Sequence, residues 1–318
     1  MGLGKIAWRF DAPHVVKGPG LSHAFAYARH PQVKIVGGCS PEIEDRLSFE
    51  KTLNAPAYKE IEEMIDDLAP DIVSICSPAT FHFGQTMSCL KREIPMIWLE
   101  KPPATSLSEL DDLIEMEKRG RCRSTVLVNY QRRYIECYRK LQVLYRKEIL
   151  GKCRLIHVIY SRGLEANGSH MLDILFFLTG EDRPYRLDCV DAFHSSENPS
   201  FTLSFEGGPE VMVSGIDVPY HCIDLSLTCD QGRASILYGG MMIRLEEKVE
   251  HELFPGFYRL KESPPHLLGS GGFGSCMEEV LKDLIDSHEK SRKPQSSLMT
   301  SRSAQALMQE VKGTWKRG

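Results

Sequence analysis

The chain has 318 residues, of which 42% are hydrophobic and 26% charged, and its formal net charge is −4. This length is too great for one small core and favours two domains. The balanced charge argues against nucleic acid as a partner, and the longest apolar stretch is too short to span a membrane. The first residues lack the pattern of a signal peptide, and the ten cysteines contain no Cys-x-x-Cys pair. We therefore expect a cytoplasmic protein with free thiols and no metal site.

Short apolar runs alternate with amphipathic segments through the first half of the chain. The predicted strands cover residues 5–10, 33–39, 71–76, 96–99 and 124–128. The predicted helices between them cover residues 21–29, 41–53, 61–68, 81–91 and 106–119. This alternation is typical of an α/β fold with a Rossmann-like, doubly wound parallel sheet, which we assign to residues 1–128.

The second half of the chain, residues 129–318, has a different pattern. Its predicted elements are, in order, a helix at 134–147, a strand at 154–160, a helix at 167–180, strands between 186 and 245, a loop at 254–273, and helices at 275–290 and 300–313. Turn residues separate the strand-like runs, which is typical of hairpins. We expect a C-terminal α+β domain with a large, mostly antiparallel open sheet. The exposed face of that sheet favours a homo-oligomer, either a dimer or a tetramer.

The clearest candidate for a functional site is the stretch Pro95-Met-Ile-Trp-Leu-Glu-Lys-Pro-Pro103. Its apolar run predicts a buried parallel strand that ends on Glu100 and Lys101. In an open parallel sheet the C-terminal strand ends line the ligand crevice, and the rigid proline exit holds the lysine at a fixed depth. A surface ion pair between Glu100 and Lys101 is the alternative interpretation.

The segment that leads into the first helix is relevant to dinucleotide binding. Residues 8–23 do not contain the Gly-x-Gly-x-x-Gly fingerprint that a dinucleotide-binding sheet usually carries. Gly20 can serve as the third glycine, but Val15 and Lys17 stand at the two earlier positions. Gly18, Gly20 and the helix start still offer free backbone N–H groups and a dipole to a pyrophosphate. A loop that merely caps the sheet is the alternative.

The second predicted strand ends near Ser40, at the position where an acidic residue usually binds the ribose diol. Without that carboxylate, a 2′-phosphate is not repelled, and Arg46 is one potential partner for it. NADP is therefore as plausible as NAD. A serine before proline is also an ordinary helix cap.

Four local motifs, taken together and in order, resemble the Gfo/Idh/MocA family of sugar and polyol oxidoreductases, which includes glucose-fructose oxidoreductase and inositol dehydrogenase. The motifs are Ser77-Pro78-Ala-Thr-Phe-His82, Glu100-Lys101-Pro102, Asn129-Tyr-Gln-Arg-Arg-Tyr134 and Gly168-Ser-His170-Met-Leu-Asp173. The resemblance spans essentially the whole chain. Two features depart from it: the glycine fingerprint is broken, and Ala166 stands where many members carry an aspartate four residues before the histidine.

The resemblance implies NAD(P)-dependent hydride transfer to or from a carbinol or ketone of a sugar, a sugar derivative or a nucleotide-linked sugar. Such a reaction needs a base for the hydroxyl proton and a cation for the developing alkoxide. His170 and Lys101 are the candidates for these roles, and Asp173 is expected to orient the imidazole or the substrate. The expected cofactor-binding residues are Gly18, Gly20, Ser40, Ser77, Pro78, His82, Glu100 and Asn129. The expected substrate-binding residues are Tyr130, Arg132, Arg133 and Asn167.

Other interpretations of these residues stay open. Arg132 and Arg133 suit a phosphate or a carboxylate, but they also suit surface charges at a helix start. His221 is expected to pack in a strand. The glycine-rich loop at 269–274 precedes a helix and is a further candidate for substrate contact. Because of the broken fingerprint, a non-catalytic protein of the same family that binds a sugar or a partner is the alternative function.

Overall fold

This computed structural model describes residues 1–12, 17, 20–119, 124–191, 197–263 and 273–315. The chain forms two compact units: Met1–Gln131 with Phe273–Arg302, and Arg132–Gly272 with Ser303–Gly318. A single division at residue 128 does not reproduce this arrangement, because residues 273–302 return to the first unit. Gly18 and most of the loop at 269–274 lie outside the described residues.

The first unit contains five short parallel strands and the helices that connect them. The strands are β1 (Gly38–Cys39), β2 (Ala57–Tyr58), β3 (Ile72–Ile75), β4 (Met96–Leu99) and β5 (Thr125–Val128). The helices are α1 (His23–Arg29), α2 (Ile43–Leu53), α3 (Ile61–Leu68), α4 (His82–Lys91) and α5 (Leu107–Lys118). β3, β4 and β5 form one parallel sheet with β4 in the middle, and β1 pairs with β2. The predicted Rossmann-like α/β unit is confirmed.

β4 lies in the centre of the core of the first unit. Ile97, Trp98 and Leu99 are fully buried, as expected for a parallel strand covered by helices on both faces. The helix after β4 begins with a capping box, in which Ser106 and Glu109 each accept from the other's backbone N–H. Glu100 and Lys101 therefore lie between a buried strand and a capped helix.

The predicted strand at residues 5–10 is wrong. The segment forms turns and a short 3₁₀-helix, Arg9–Asp11. Its apolar character has another cause: Trp8 packs edge-on against Phe49 in a small cluster, and the Trp8 indole N–H donates to the Leu3 carbonyl over 3.0 Å. A short apolar run does not by itself distinguish a strand from a turn with a buried anchor.

The parallel sheet is interrupted between β1 and β3. The backbone of Met1 and Gly2 bridges the two at one end: Gly2 N donates to Cys39 O over 2.9 Å, and Cys76 N donates to Met1 O over 2.8 Å. The Met1 amino group also donates to Ser74 O over 2.6 Å. A cavity of about 600 Å³ continues from Met1 between residues 33–37 and residues 71–74.

The second unit contains one eight-stranded sheet. Its strands are β6 (Cys153–Tyr160), β7 (Tyr185–Asp191), β8 (Ser200–Phe205), β9 (Glu210–Gly215), β10 (Ile223–Cys229), β11 (Gly232–Leu237), β12 (Met242–Glu250) and β13 (Tyr258–Glu262). Their order is β13-β12-β11-β10-β6-β9-β8-β7, and every neighbouring pair is antiparallel except β6 with β9. The helices of this unit are α6 (Glu136–Arg146) and α7 (Ser169–Thr179). Of the two last helices of the chain, α8 (Cys276–Glu289) belongs to the first unit, and α9 (Leu298–Trp315) begins in the first unit and ends in the second. The predicted large, mostly antiparallel sheet is confirmed.

β13 lies inside the segment that was expected to be a loop. It pairs with β12 at the edge of the sheet, where most of its side chains are exposed and Lys248 lies over the ring of Tyr258 at 4.3 Å. An exposed edge hairpin needs little apolar alternation, so the pattern was too weak to predict. Within the described part of the chain, no helix has both the length and the apolar character that crossing a membrane requires.

Candidate functional site

A glycine fingerprint is present, but at the very start of the described chain rather than next to α1. Residues 2–7 read Gly-Leu-Gly-Lys-Ile-Ala, which is Gly-x-Gly-x-x-Ala. Gly2 has φ +77°, and a Cβ added there meets Ser77 N at 2.6 Å, so only glycine fits. A Cβ added to Gly4 meets nothing within 4 Å, so the backbone at Gly4 faces open space.

The third fingerprint position is Ala7, which packs with the cluster around Trp8. The carbonyl groups of Ile6 and Ala7 accept from His23 N and Ala24 N over 3.0 and 2.9 Å, so the fingerprint abuts the first turn of α1. The motif was not predicted because residues 5–10 were interpreted as a strand and the fingerprint was expected within residues 8–23. The spacing itself was a sufficient signal.

The expectation that Gly20 and the helix start offer free N–H groups to a pyrophosphate is wrong. The buried carboxylate of Asp11 accepts from Gly20 N over 2.9 Å and from Ser22 N over 2.7 Å. Gly20 instead serves close packing, since its φ is +81° and an added Cβ meets Gly274 O at 2.7 Å. Among the described residues, no acceptor faces the backbone N–H groups of Gly4–Ile6. The free donors therefore belong to the fingerprint.

Ser40 lies directly after β1, as the sequence predicted, and is buried. Its hydroxyl donates to Asp45 over 3.2 Å, and Arg46 donates to the carbonyl groups of Ser40 and Pro41 over 2.8 Å each. Arg9 also reaches Asp45, at 2.5 Å. The Arg9 and Arg46 guanidinium groups and the Asp45 carboxylate therefore lie around Ser40 at this strand end.

A buried polar cluster lies at the C-terminal end of β4. The Glu100 carboxylate, 9% exposed, accepts from His23 Nε2 over 2.9 Å and from Asn129 Nδ2 over 2.5 Å. Its other oxygen accepts from Lys101 N over 3.3 Å. The His23 ring is held from two further sides, by Ser74 Oγ at 2.8 Å and by the Trp98 ring at 3.9 Å between centroids. Glu100 is therefore a fixed carboxylate behind Lys101.

The electrostatics of this pair favour its charged form. Burial alone lowers the pKa of His23, but the neighbouring Cys76 and the Glu100 carboxylate outweigh it and raise the pKa to about 9. Burial alone raises the pKa of Glu100, but His23, Asn129 and the charge of Lys101 outweigh it and lower the pKa below its ordinary value. At neutral pH the pair is an imidazolium and a carboxylate. Sequence reasoning considered neither His23 nor this pairing.

His82 joins two loops at the C-terminal edge of the sheet. Its Nδ1 lies 2.7 Å from Pro102 O and its Nε2 lies 2.8 Å from Ser77 O. Both ring nitrogens of His82 therefore contact protein carbonyl groups. Ser77 and Pro78 follow β3, and the backbone of Ser77 lies beside Gly2.

Asn129, which follows β5, carries a buried amide whose oxygen is unpaired among the described residues. It is 2% exposed, and its Oδ1 has no hydrogen-bond partner in the part of the chain that the structure describes. A buried amide oxygen without a donor costs free energy, which a ligand N–H group offsets. This oxygen, the N–H groups of Gly4–Ile6 and the open space at Gly4 fit a dinucleotide with a carboxamide and a pyrophosphate.

In the second unit, His170 lies in the first turn of α7, buried to 7% exposure. A turn of π-helix, Leu164–Gly168, precedes it, and an added Cβ on Gly168 meets the Leu164 side chain at 2.9 Å. The Ser169 hydroxyl donates to Glu165 O over 2.6 Å, which closes this turn. π-Helical turns are often found at functional sites.

Asp173 and Arg133, which were expected to act on the imidazole or the substrate, bind each other. Each oxygen of Asp173 accepts from Arg133 over 2.7 Å, and Arg133 also reaches Glu181 at 2.8 Å. Both members of the pair are fully buried, and the guanidinium lies over the Phe177 ring at 5.3 Å. Burial raises the pKa of Asp173 to about 6 although Arg133 opposes it. The pair holds α7 and leaves neither group for a histidine or a substrate.

Of the remaining residues expected to bind substrate, two are buried and one is partly exposed. Tyr130 is 1% exposed in the hydrophobic core of the first unit. Arg132 is also buried, and its charge opposes the effect of burial on the pKa of the Tyr138 hydroxyl. Asn167 is partly exposed, and its amide donates to Ser161 O over 2.8 Å and to His221 Nδ1 over 3.2 Å.

His221 was expected to pack in a strand, but it is exposed and precedes β10. Burial of part of its ring and the charges of Arg132 and Arg162 lower its pKa. At neutral pH it is therefore an uncharged imidazole that accepts from Asn167. A polar residue next to a turn, Val218-Pro219, was the signal for an exposed position.

Comparison with known proteins gives a consistent result. Residues 17–130 match the family GFO_IDH_MocA, described as an oxidoreductase family with an NAD-binding Rossmann fold. Myo-inositol 2-dehydrogenase from Thermotoga maritima is 26% identical over 117 residues, which cover 37% of this chain and 33% of that protein. The chain therefore matches about a third of the length of this curated relative.

Solved structures match over nearly the whole chain. A dehydrogenase from Chromobacterium violaceum has a TM-score of 0.75 at 17% identity, covering 91% of this chain and 89% of its own. KijD10, a 3-ketoreductase from Actinomadura kijaniata in complex with NADP, has a TM-score of 0.75 at 13% identity, covering 98% and 95%. At these identities the likeness concerns the fold.

Proposed function

We propose that the chain is a member of the Gfo/Idh/MocA oxidoreductase family and that it transfers a hydride between a nicotinamide cofactor and a carbinol or ketone of a sugar, a sugar derivative or a nucleotide-linked sugar. The cofactor is NAD or NADP. The observation that carries the proposal is Lys101 at the C-terminal end of β4, backed by the buried Glu100–His23 pair and next to a strand that ends beside the fingerprint.

The residues proposed to hold the cofactor come from the fingerprint turn and from the ends of β3 and β5. The N–H groups of Gly4–Ile6 are donors for the pyrophosphate, and Ser77 and Pro78 shape the same edge. Asn129 offers its unpaired Oδ1 to an N–H donor such as the carboxamide. When bound, the nicotinamide supplies or accepts the hydride.

Lys101 is proposed to stabilise the oxygen of the reacting carbinol. An ammonium at the end of a parallel strand meets the negative charge that develops on an alkoxide, and such electrostatic stabilisation is usually the largest contribution to catalysis. The Glu100 carboxylate lies directly behind Lys101, where its Oε1 accepts from His23 and Asn129 and its Oε2 accepts from Lys101 N.

His170 is proposed to exchange the hydroxyl proton. This role rests on the resemblance of Gly168-Ser-His170 to the family motif and on the intrinsic pKa range of histidine. Neither the absent aspartate at Ala166 nor Asp173 assists it, since Asp173 is bound to Arg133. Asn167 and His221 are proposed as substrate-side groups of the second unit.

The non-catalytic alternative was motivated by a broken fingerprint. With Gly2-x-Gly4-x-x-Ala7 placed beside the strand ends, this motivation is lost. The test is a fluorescence titration of the protein with NADH and NADPH, followed by a screen of sugars and polyols for turnover. No saturable binding at millimolar cofactor would refute the proposal.

A pair of variants tests the lysine. Lys101→Ala is expected to lower turnover by orders of magnitude, whereas Lys91→Ala, which removes an exposed lysine at the end of α4, is expected to leave it unchanged. Circular dichroism of both variants controls for folding. Near-normal turnover of the folded Lys101→Ala variant would refute the role.

A further inference from the structure

A chain of buried polar side chains lies directly behind Lys101. It runs from the Tyr27 hydroxyl to Ser74 Oγ at 2.6 Å, from Ser74 Oγ to His23 Nδ1 at 2.8 Å, and from His23 Nε2 to Glu100 at 2.9 Å. Asn129 closes the chain on the other side of the carboxylate at 2.5 Å. All these groups belong to the first unit.

Because these polar side chains are buried, each unpaired group among them would cost free energy. His23 is 1% exposed and Glu100 is 9% exposed, and a buried charge is tolerated only when it is paired and hydrogen-bonded. The Trp98 ring, 3.9 Å from the His23 ring between centroids, and Ser74 fix the plane of the imidazole. The carboxylate therefore has one well-defined orientation, which includes its contact with Lys101 N at 3.3 Å.

We propose that His23 is a positioning residue for the hydride transfer, because it fixes the Glu100 carboxylate, whose second oxygen accepts from the backbone N–H of Lys101. This inference rests on the proposed function. With an uncharged side chain at position 23, the Glu100 carboxylate loses its buried cation and its fixed orientation. The contact that holds the backbone of Lys101 is then weakened, and the ammonium is less well placed for the substrate oxygen.

The groups that titrate around His23 come from three elements. They are Glu100 at the end of β4, Cys76 at the end of β3 and Tyr27 on α1, while Lys101 faces Glu100. The pKa of His23 is raised, so the imidazolium persists through neutral pH and is lost as the pH rises through about 9. The proposal therefore places an alkaline limb in the pH profile of kcat that depends on His23.

The test compares His23→Gln, Glu100→Gln and the double variant with His30→Gln, a histidine one residue beyond α1. His23→Gln is expected to lower kcat about 10- to 100-fold, the usual effect of removing an outer partner of a catalytic group, with little change in KM. The double variant is expected to be no slower than Glu100→Gln, because His23 acts through Glu100. His30→Gln is expected to match the wild type.

Two further readouts separate positioning from folding. The ¹⁵N signals of the His23 ring are expected to show an imidazolium at pH 7 and a neutral ring above about pH 9. NADPH binding and circular dichroism are expected to be unchanged in His23→Gln. Wild-type kcat in a folded His23→Gln variant would overturn the inference and leave the proposed function intact. A wild-type protein that binds NADPH but turns over no sugar or polyol would overturn both.

Discussion

Gly4 provides the sharpest test of where the cofactor binds. In the Gly4→Ala variant the added Cβ has no protein atom within 4 Å, and the φ of Gly4 lies outside the left-handed region. The free energy of unfolding is therefore expected to stay unchanged or to rise by up to about 1 kcal/mol, because alanine restricts the unfolded chain. The methyl group, however, fills the space that the backbone leaves for a pyrophosphate.

The magnitude follows from the cost of one misplaced carbon. A single extra methyl group in a fitted site costs about 1–3 kcal/mol, which corresponds to about 10- to 100-fold weaker binding of NADH or NADPH. Gly2→Ala differs, since its Cβ meets Ser77 N at 2.6 Å with φ +77°. That variant is expected to lose stability as well, by at least the ~1–2 kcal/mol of the left-handed conformation.

The assay combines urea unfolding with a fluorescence titration of the cofactor. Gly84→Ala is the matched control, because its added Cβ also meets nothing within 4 Å but lies on the exposed face of α4. It is expected to bind the cofactor like the wild type. If Gly4→Ala binds both cofactors with wild-type affinity, residues 2–7 are not the pyrophosphate site.

Further predictions concern charge and assembly. Asp173→Asn leaves the buried Arg133 with one carboxylate fewer and is expected to cost about 3–5 kcal/mol of stability, measured by urea unfolding; a loss below 1 kcal/mol contradicts the pairing. Because the pKa of His23 is raised, its protonation stabilises the folded state by about 3 kcal/mol below pH 6.5. This contribution is lost as the pH rises through about 9, and the loss is expected to be absent in His23→Gln. Ser40→Asp is expected to weaken NADPH binding more than NADH binding, whereas Ser48→Asp on α2 is expected to change neither; equal effects at Ser40 would contradict its place beside the ribose. The open sheet predicts a dimer or tetramer by size exclusion with light scattering, and a monomer at micromolar concentration contradicts it.

The strand that leads to Lys101 was predictable because its signals are local. An apolar run, a carboxylate, an amine and two prolines follow one another within residues 95–103, and β4 ends where the run ends. The capping box at Ser106 is local in the same way. Signals between residues that are close in sequence predict secondary structure without knowledge of the fold.

The partners of the charged residues were not predictable, because sequence spacing carries no information about distance. Glu100 was assigned to Lys101, its neighbour, but its cation is His23, 77 residues away. Asp173 was assigned to His170 one turn earlier, but its cation is Arg133, 40 residues away. Burial decides these pairs, since a buried charge takes whichever partner the fold brings to it.

The fingerprint was missed for a different reason. Its glycines are visible in the sequence, but the apolar residues that follow them were interpreted as a strand. Trp8 makes this run apolar as the anchor of a turn, and Asp11 accepts from the backbone N–H groups of Gly20 and Ser22, just before α1. The residues between the fingerprint and α1 separate the two in sequence. The carbonyl groups of Ile6 and Ala7 nevertheless accept from the first turn of α1.

The bridge that Met1 and Gly2 make across the interrupted sheet has a consequence for local unfolding. The same two residues carry backbone hydrogen bonds to Cys39 on one side and to Cys76 on the other, and Gly2 opens the fingerprint. We therefore expect a cofactor bound at the fingerprint to oppose local unfolding of the hydrogen bonds that Met1 and Gly2 make to Cys39 and Cys76. Slower amide hydrogen exchange at Gly2 and Cys76 on addition of NADH or NADPH is the expected result, and by linkage a change that loosens this bridge is expected to weaken cofactor binding.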